Sequence, residues 1–282
     1  MNLQSIIKRS GLKISNIQRV SGGDINDAYC LAGDSKKYFL KVNNASRYPR
    51  MFAKEAQGLQ ALQKGCDLVV PAVTEFGEAE NHQYLILEWI EKSRPHKNFW
   101  EEFGTSLASM HRQPQQYFGF TEDNYIGSLV QNNSVHESWS SFYTECRIMP
   151  LVKQLKDNGS FSIKDINTAE LFCNKLDDIF PAETPSLLHG DLWSGNYMAA
   201  QNGRASIYDP AVYYGHREMD LGMTLLFGGF SAPFYEHYNE AYPLEKNWRK
   251  RVRYTQLYPL LVHAILFGGH YVHSVREILK EF

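Results

Sequence analysis

The first 90 residues break into short apolar runs, whereas the remainder of the chain is dominated by helical spacing. Residues 17–20, 28–32 and 38–42 are rich in Ile, Val, Leu, Tyr and Phe and are set off by Ser21-Gly22-Gly23 and Gly33-Asp34-Ser35. Runs of that kind bounded by turn formers predict three strands, the last two forming a hairpin. Over 50–64, Phe52, Ala56, Leu59 and Leu62 fall three and four apart, the period of a helix with one buried face. Residues 69–73 and 84–89 predict two further strands on either side of a polar tip at 78–81. Beyond Ile90 the helical period takes over. It predicts helices at 99–112, closed by Pro114, at 136–155, and at 164–179 after an Asp157-Asn158-Gly159 turn. Residues 220–229, 232–242 and 248–279 are also expected to be mostly helical, with short strands near Leu187 and over 205–208. Residues 1–9 read as an amphipathic opening helix.

Three strands, a helix and two strands ahead of a mainly helical remainder imply an α+β protein of two lobes. Residues 1–90 form a small antiparallel sheet lobe with one helix, and 91–282 a larger, mainly helical lobe, joined near 91–94. This order matches the small lobe of a protein-kinase-like fold, so a nucleotide site between the lobes is expected.

Composition narrows the function. The 282 residues are 43% hydrophobic and 21% charged with a net charge of −2, ordinary for a globular protein. That balance gives no electrostatic reason to expect nucleic acid or an acidic membrane as a partner. No apolar run approaches the roughly 18 residues that span a bilayer. The first residues lack the apolar core of a secretory signal, so a cytoplasmic location is expected. Cys30, Cys66, Cys146 and Cys173 form no C-x-x-C pair and are expected to be free thiols. Zinc has no support: His270 and His273 lack Cys or acidic partners, and His216-Arg217-Glu218 is followed by no P-C-x-x-C.

The chemistry lies in Leu187-Leu188-His189-Gly190-Asp191-Leu192-Trp193-Ser194-Gly195-Asn196, followed by Ile207-Tyr208-Asp209-Pro210-Ala211. An Asp, an Asn five residues on and a second Asp after an apolar pair are what transfer from a magnesium nucleotide requires. One carboxylate orients the attacking hydroxyl and accepts its proton, and two oxygen ligands hold the metal on the phosphates. Asp191 is the candidate catalytic base, with Asn196 and Asp209 as Mg²⁺ ligands. Gly190 replaces the Arg of the protein-kinase H-R-D motif, and no Ala-Pro-Glu follows, which argues against a protein-kinase type of substrate and regulation. Lys41, closing its strand, is placed to contact ATP phosphates, with Glu55 on the following helix as its partner. Gly22 and Gly23 are candidates for a phosphate-covering loop, and Glu88, Trp89 and Ile90 for the connector that frames adenine. His189 is expected to brace the loop backbone rather than act as base. Asp220 is either a second brace or a helix cap.

With these residues in place, the chain resembles the fructosamine/ketosamine-3-kinase family, relatives of the aminoglycoside and choline kinases. The resemblance runs over nearly the whole length. It rests most on His189 to Asn196, Asp209-Pro210-Ala211, Gly215-His216-Arg217-Glu218-x-Asp220-Leu221 and Phe227-Gly228-Gly229-Phe230. Supporting pieces include Phe52-x-x-Glu55-Ala56, Ser138-Trp139 with Phe142-Tyr143 and Arg147, and Leu261-x-His263-Ala264. The resemblance implies ATP-dependent phosphorylation of the 3-hydroxyl of a small-molecule or protein-linked ketosamine, whose unstable product releases the amine. It implies Asp191 as proton acceptor, with Trp193 and His216 on the substrate side. Rival readings are a kinase for another amino-alcohol or aminoglycoside, a nucleotide-binding pseudokinase, and an interaction protein using its aromatic C-terminal half.

Overall fold

The computed structural model describes residues 3–20, 25–113 and 115–282. The expected phosphate-loop glycines Gly22 and Gly23, and Pro114, lie outside the described residues. After α1 (Leu3–Ser10), β1 (Ile14–Val20), β2 (Asp27–Gly33) and β3 (Lys37–Asn44) lead into α2 (Met51–Gly65), then β4 (Val73–Ala79) and β5 (His82–Glu88). The five strands pair antiparallel in the order β1-β2-β3-β5-β4. Side chains alternate across a strand, and the sheet is apolar on both faces. Leu40, Val42, Tyr84 and Ile86 pack with Ile6 of α1 on one side. On the other, Leu85 and Leu87 join Phe52, Ala56, Leu59 and Leu62 of α2. Lys41 and Asn43 therefore belong to the face that meets α2.

The start of α2 is held by the sheet. Arg50 precedes the helix in the left-handed region, φ 58°, and supplies no side-chain cap. Gln83, buried on β5, accepts from the Phe52 N–H at 3.2 Å and donates to the Tyr48 carbonyl. This satisfies one of the free amides of a helix start and sets the helix rotation that aims Glu55 at β3.

The strand expected at 69–73 starts instead at Val73. Pro71 has no N–H to offer a ladder, and Val69 is committed elsewhere. Its N–H donates to Ala205 O and its carbonyl accepts from Ile207 N, both at 3.0 Å. The segment thus ties the sheet region to the strand around Ser206.

The remainder contains α3 (Phe99–His111), the hairpin β6 (Asn124–Ile126) and β7 (Leu129–Gln131), then α4 (Trp139–Phe142), a π-helical segment Tyr143–Ile148 and α5 (Met149–Asp157). Next come α6 (Ile163–Cys173), α7 (Leu176–Ile179), β8 (Ser186–Leu188), β9 (Tyr197–Ala199), β10 (Ala205–Ile207) and β11 (Tyr213–Gly215). The chain ends with α8 (Glu218–Thr224), α9 (Ala232–Ala241), α10 (Trp248–Thr255), α11 (Leu257–Phe267) and α12 (His270–Leu279). Expected helices are thereby revised, 164–179 among them: it stops at Cys173 and resumes only as the single turn of α7. The 136–155 helix begins after Ser138, whose hydroxyl accepts from Ser141 N, and widens to π geometry before Pro150. Pro150 cannot donate to the Cys146 carbonyl as a regular helix would require, and Arg147 Nη1 donates to that oxygen at 3.1 Å instead. The 220–229 helix ends at Thr224, short of Gly228 and Gly229. The 248–279 stretch is three helices, broken at Gln256 and at Gly268-Gly269, whose φ values are +65° and +59°.

Apolar packing is continuous across the join. Leu59 and Leu85 share a cluster with Phe103 of α3, Leu187, Ile207, Val212 and Phe234 of α9. Gly58 of α2 makes close approach possible: a Cβ there would lie 3.1 Å from Val212 and 3.6 Å from Pro210. Among the described residues no helix is long and apolar enough to cross a membrane.

Gln83→Ala strips α2 of both its anchors and leaves the buried Phe52 amide unpaired, while the Tyr48 carbonyl keeps only Met51 N, a loss of about 1–3 kcal/mol. In urea unfolding the midpoint should fall with an unchanged slope. A midpoint equal to that of the wild type would contradict the anchoring role.

Candidate active site

Period-two alternation turns Lys41 toward α2, where Glu55 lies one turn into the helix. Lys41 Nζ donates to Glu55 Oε1 at 2.7 Å and also to Asp209 Oδ1. The Lys41 side chain is 6% exposed and that of Asp209 41%, so the ammonium is buried beneath a carboxylate that reaches the surface. Burial works against the Lys41 charge, but the carboxylates of Asp209 and Glu55 outweigh it and hold the group above the usual lysine range. The structure thus brings Lys41, Glu55 and Asp209 to one point from three separate parts of the chain.

Asp209 has φ 56°, a left-handed conformation that Asp tolerates better than most residues but that needs support. Hydrogen bonds on both sides provide it. Tyr208 N donates to Asn196 O at 3.1 Å, and Ala211 N to His189 O at 2.9 Å. Asp209 Oδ1 meets Lys41, and among the described residues no hydrogen bond engages Oδ2.

The segment from His189 to Asn196 follows β8 with no regular structure of its own, so side chains fix its backbone. Asp220, buried in α8, accepts from His189 N at 2.7 Å and Gly190 N at 2.9 Å, and meets His111 Nε2 at 3.2 Å. Burial alone would raise its pKa, yet these donors and the nearby imidazoles keep it below the ordinary value. Of the two roles the sequence leaves open for Asp220, the structure shows the brace. His189 accepts at Nδ1 from Asp191 N at 3.2 Å, which leaves Nε2–H to donate to Tyr208 O at 3.0 Å. Burial pushes its pKa down, and both ring nitrogens are spent on backbone. Gly190 stands at φ +81°, with the place of a Cβ only 2.1 Å from Ala211 O, so any side chain would displace the segment carrying Asp209.

Asp191 is partly buried at the end of this brace. Asn196 Nδ2 donates to Asp191 O at 2.8 Å and Oδ2 at 3.0 Å, so the free end of the amide is its oxygen. Burial, and then the negative charge of Asp209, push the Asp191 carboxyl up to about 7, while the Asn196 hydrogen bond works the other way. A cavity of about 20 Å³ adjoins Asp191, lined also by Tyr213, Met223, Tyr258 and His263. An aromatic wall borders it: Trp193 lies edge-on to Phe227 at 5.8 Å, Phe227 is 4.9 Å from His263, and His263 is 5.0 Å from Tyr271. The His263 Nδ1–H donates to Pro259 O at 2.7 Å, leaving Nε2 as an acceptor, and burial pushes its pKa down.

Of the remaining candidates, Glu88 closes β5, and the Trp89 ring lies 6.2 Å from Phe39 at the end of the sheet, with Ile90 next in the chain. His216 is a correction. It is 1% exposed, lies 5.2 Å from Phe180 and 5.8 Å from Trp139, and its Nε2 meets Pro181 O at 3.3 Å. With Nδ1 accepting from Glu218 N at 3.3 Å and Glu183 Oε2 3.8 Å from Nε2, this interior imidazole does not line the cavity beside Asp191. His263 is a cavity residue to which the sequence reading assigned no site role, and a polar ring on a strongly apolar helix, α11, is a local signal it gives. Among the described residues no group of three or more His, Cys, Asp or Glu side chains could hold a metal alone, so any cation here takes ligands from its partner as well.

Known proteins carry the same features. The fructosamine kinase family model matches residues 2–282. "Probable ketoamine kinase" of Synechocystis is 38% identical, spanning 99% of this chain and 94% of that protein. The chloroplastic protein-ribulosamine 3-kinase of Arabidopsis thaliana is 36% identical over 96% of this chain and 83% of its own length. A crystal structure of a candidate fructosamine-3-kinase from Thermobifida fusca superposes with a TM-score of 0.88 at 32% identity, covering 99% of this chain and 100% of the other. A spectinomycin phosphotransferase solved with ADP and spectinomycin shares the fold alone, with a TM-score of 0.60 at 15% identity over 99% and 93% of the two chains. By its length-wide match to the model and these relatives, this chain belongs to the fructosamine kinase family.

Proposed function

We propose that the protein is an ATP- and Mg²⁺-dependent kinase that phosphorylates the 3-hydroxyl of ketosamines such as fructosamine or ribulosamine, free or protein-linked, in the cytoplasm. The observation that carries this reading is the meeting of Lys41 and Glu55 with Asp209 beside the Asp191–Asn196 pair. In this reading residues 1–90 hold the nucleotide. Gly22 and Gly23 cover the phosphates, the backbone at Glu88, Trp89 and Ile90 frames adenine, and Lys41 contacts the phosphates while Glu55 steadies it. Residues 91–282 supply catalysis and substrate binding.

Magnesium fits the donor set. Asp209 Oδ2 and Asn196 Oδ1 are hard oxygens of the kind Mg²⁺ takes, and these two residues would hold the ion against the nucleotide phosphates. When bound it neutralises charge on the phosphates. The protein's own task is placement, because phosphoryl transition states are loose and catalysis rests on alignment and charge stabilisation. Asp191 accepts a hydrogen bond from the sugar hydroxyl, aligns its oxygen with the γ-phosphorus and takes its proton as the bond to ADP breaks. A carboxyl near neutral pKa suits that exchange. Trp193 and the wall behind it present aromatic faces to the substrate amine, a contact of about 0.5–2 kcal/mol when the amine is charged.

ADP release measured against fructosamine, ribulosamine, aminoglycosides and choline should respond to the ketosamines, and Asp191→Asn should cut that rate by at least about 10³-fold, a deficit of about 4 kcal/mol in the barrier. Release with aminoglycosides alone, or an active Asp191→Asn enzyme, contradicts the reading. A second expectation concerns pH. Because the folded state raises the Asp191 pKa to about 7, the folded protein holds that proton longer than the unfolded chain does. The group's contribution to stability is therefore full below the ordinary Asp value of about 4 and is lost as pH rises through about 7. Relative to Asp191→Asn, the wild type should lose stability across that window and level off above it. A constant difference between their urea midpoints from pH 4 to 8 would show that Asp191 is not perturbed.

A further inference from the structure

Arg147 has no part in the mechanism above, yet it is 0% exposed. Among the described residues its hydrogen bonds all go to neutral oxygens: Asn132 O, Cys146 O at 3.1 Å and Asn133 Oδ1 at 2.8 Å. Its Nε has no hydrogen-bond partner among the described residues. Three rings surround the guanidinium instead, with Cζ 4.2 Å from the centre of Tyr213, 4.5 Å from Phe142 and 5.2 Å from Tyr258. A buried cation without a carboxylate is a poor device for stability, since an apolar side chain would pack there without the desolvation cost. The π-helical segment that presents it is also a geometry found more often at functional sites than elsewhere.

The groups around Arg147 lead to the site. Tyr213 and Tyr258 line the cavity that adjoins Asp191. The Tyr258 hydroxyl donates to Gln131 Oε1 at 2.8 Å, and Gln131 Nε2 donates to Ala211 O at 3.1 Å and to Asn124 Oδ1 at 2.7 Å. Asn124 Nδ2 donates to Val212 O at 2.8 Å, and Asn133, held by Arg147, donates to Asn124 Oδ1 at 2.9 Å. Asn124, Gln131 and Asn133 are each 5% exposed or less. The network therefore ends on the two carbonyls that follow Asp209-Pro210, and Ala211 is also the residue that packs against Gly190 and bonds His189.

We propose that Arg147 is a positioning residue for phosphoryl transfer. Through Tyr213, Tyr258 and the amides of the β6–β7 region it sets the backbone beyond Asp209 and the wall beside Asp191. The proposal rests on the kinase reading. It gives a buried charge and three buried amides one purpose: to hold in place an aspartate whose left-handed backbone has no regular secondary structure to support it.

The test uses Gln131→Met, Tyr258→Phe and the double variant, with Arg147→Lys and Arg147→Met alongside. Each is assayed by ADP release with fructosamine and by thermal unfolding. Gln131→Met and Tyr258→Phe should unfold cooperatively, lose about tenfold in kcat and keep both KM values within about threefold, the pattern of misplaced rather than missing groups. The double variant should be no worse than the more affected single one, because both cut the same link. Arg147→Lys should retain more activity than Arg147→Met. Folded Gln131→Met and Tyr258→Phe enzymes with wild-type kcat overturn this proposal alone. A wild type that transfers phosphate to no acceptor overturns the kinase reading and this proposal with it.

Discussion

A lysine ammonium removed from water is tolerable only beside negative charge, and Lys41 has two carboxylates for that purpose, Glu55 and Asp209. Neither is near it in sequence. To satisfy one buried cation, the sheet must present β3, α2 must dock in a single rotation, and the chain beyond β10 must return to the same place. Breaking such a pair leaves an uncompensated charge, at a cost of about 3–5 kcal/mol. Packing reinforces the same arrangement. Gly58 lets α2 approach Pro210 and Val212, and Gln83 fixes the start of that helix. Electrostatics and sterics thus specify one placement of Asp209 relative to the sheet.

The second half of the site is built from backbone rather than from regular elements. Asp220 takes the amides of His189 and Gly190, His189 spans to Tyr208, and Gly190 lies against the Ala211 carbonyl. Each bond joins the Asp191 segment to the Asp209 segment or to α8, so the two carboxylates cannot move independently. Their enforced proximity contributes to keeping Asp191 protonated to an unusually high pH. Strain and charge repulsion are concentrated where hydroxyl, phosphate and metal would meet, and the surrounding apolar clusters supply the rigidity to hold them.

Much of this was readable in the residues. The Lys41–Glu55 pairing follows from strand alternation and one turn of an amphipathic helix, and the fixed offsets of HGD…N…D bring Asp191, Asn196 and the Asp209 backbone together. At 69–73 the pattern misleads, because β-branched residues look alike whether they pair within the sheet or, like Val69, bridge to Ser206. The 136–155 helix has an unbroken apolar period, which conceals the π segment forced on it ahead of Pro150. Three-residue strands such as β6 and β7 carry too little pattern to see. The Arg147 network was equally hidden, because its bonds to Asn133, and from Gln131 to Ala211, join residues 14 and 80 positions apart. His216 shows the converse: membership in a distinctive motif marks family, and here the side chain packs between rings in the interior.

The central claim is that Lys41 and Asp209 serve one bound nucleotide. Isothermal titration of the wild type, Lys41→Ala and Asp209→Asn with a non-hydrolysable ATP analogue, with and without Mg²⁺, tests it most directly. Wild-type affinity should rise with Mg²⁺, that increment should vanish in Asp209→Asn, and Lys41→Ala should bind more weakly in both conditions. Affinity indifferent to Mg²⁺ and to both substitutions would contradict the account.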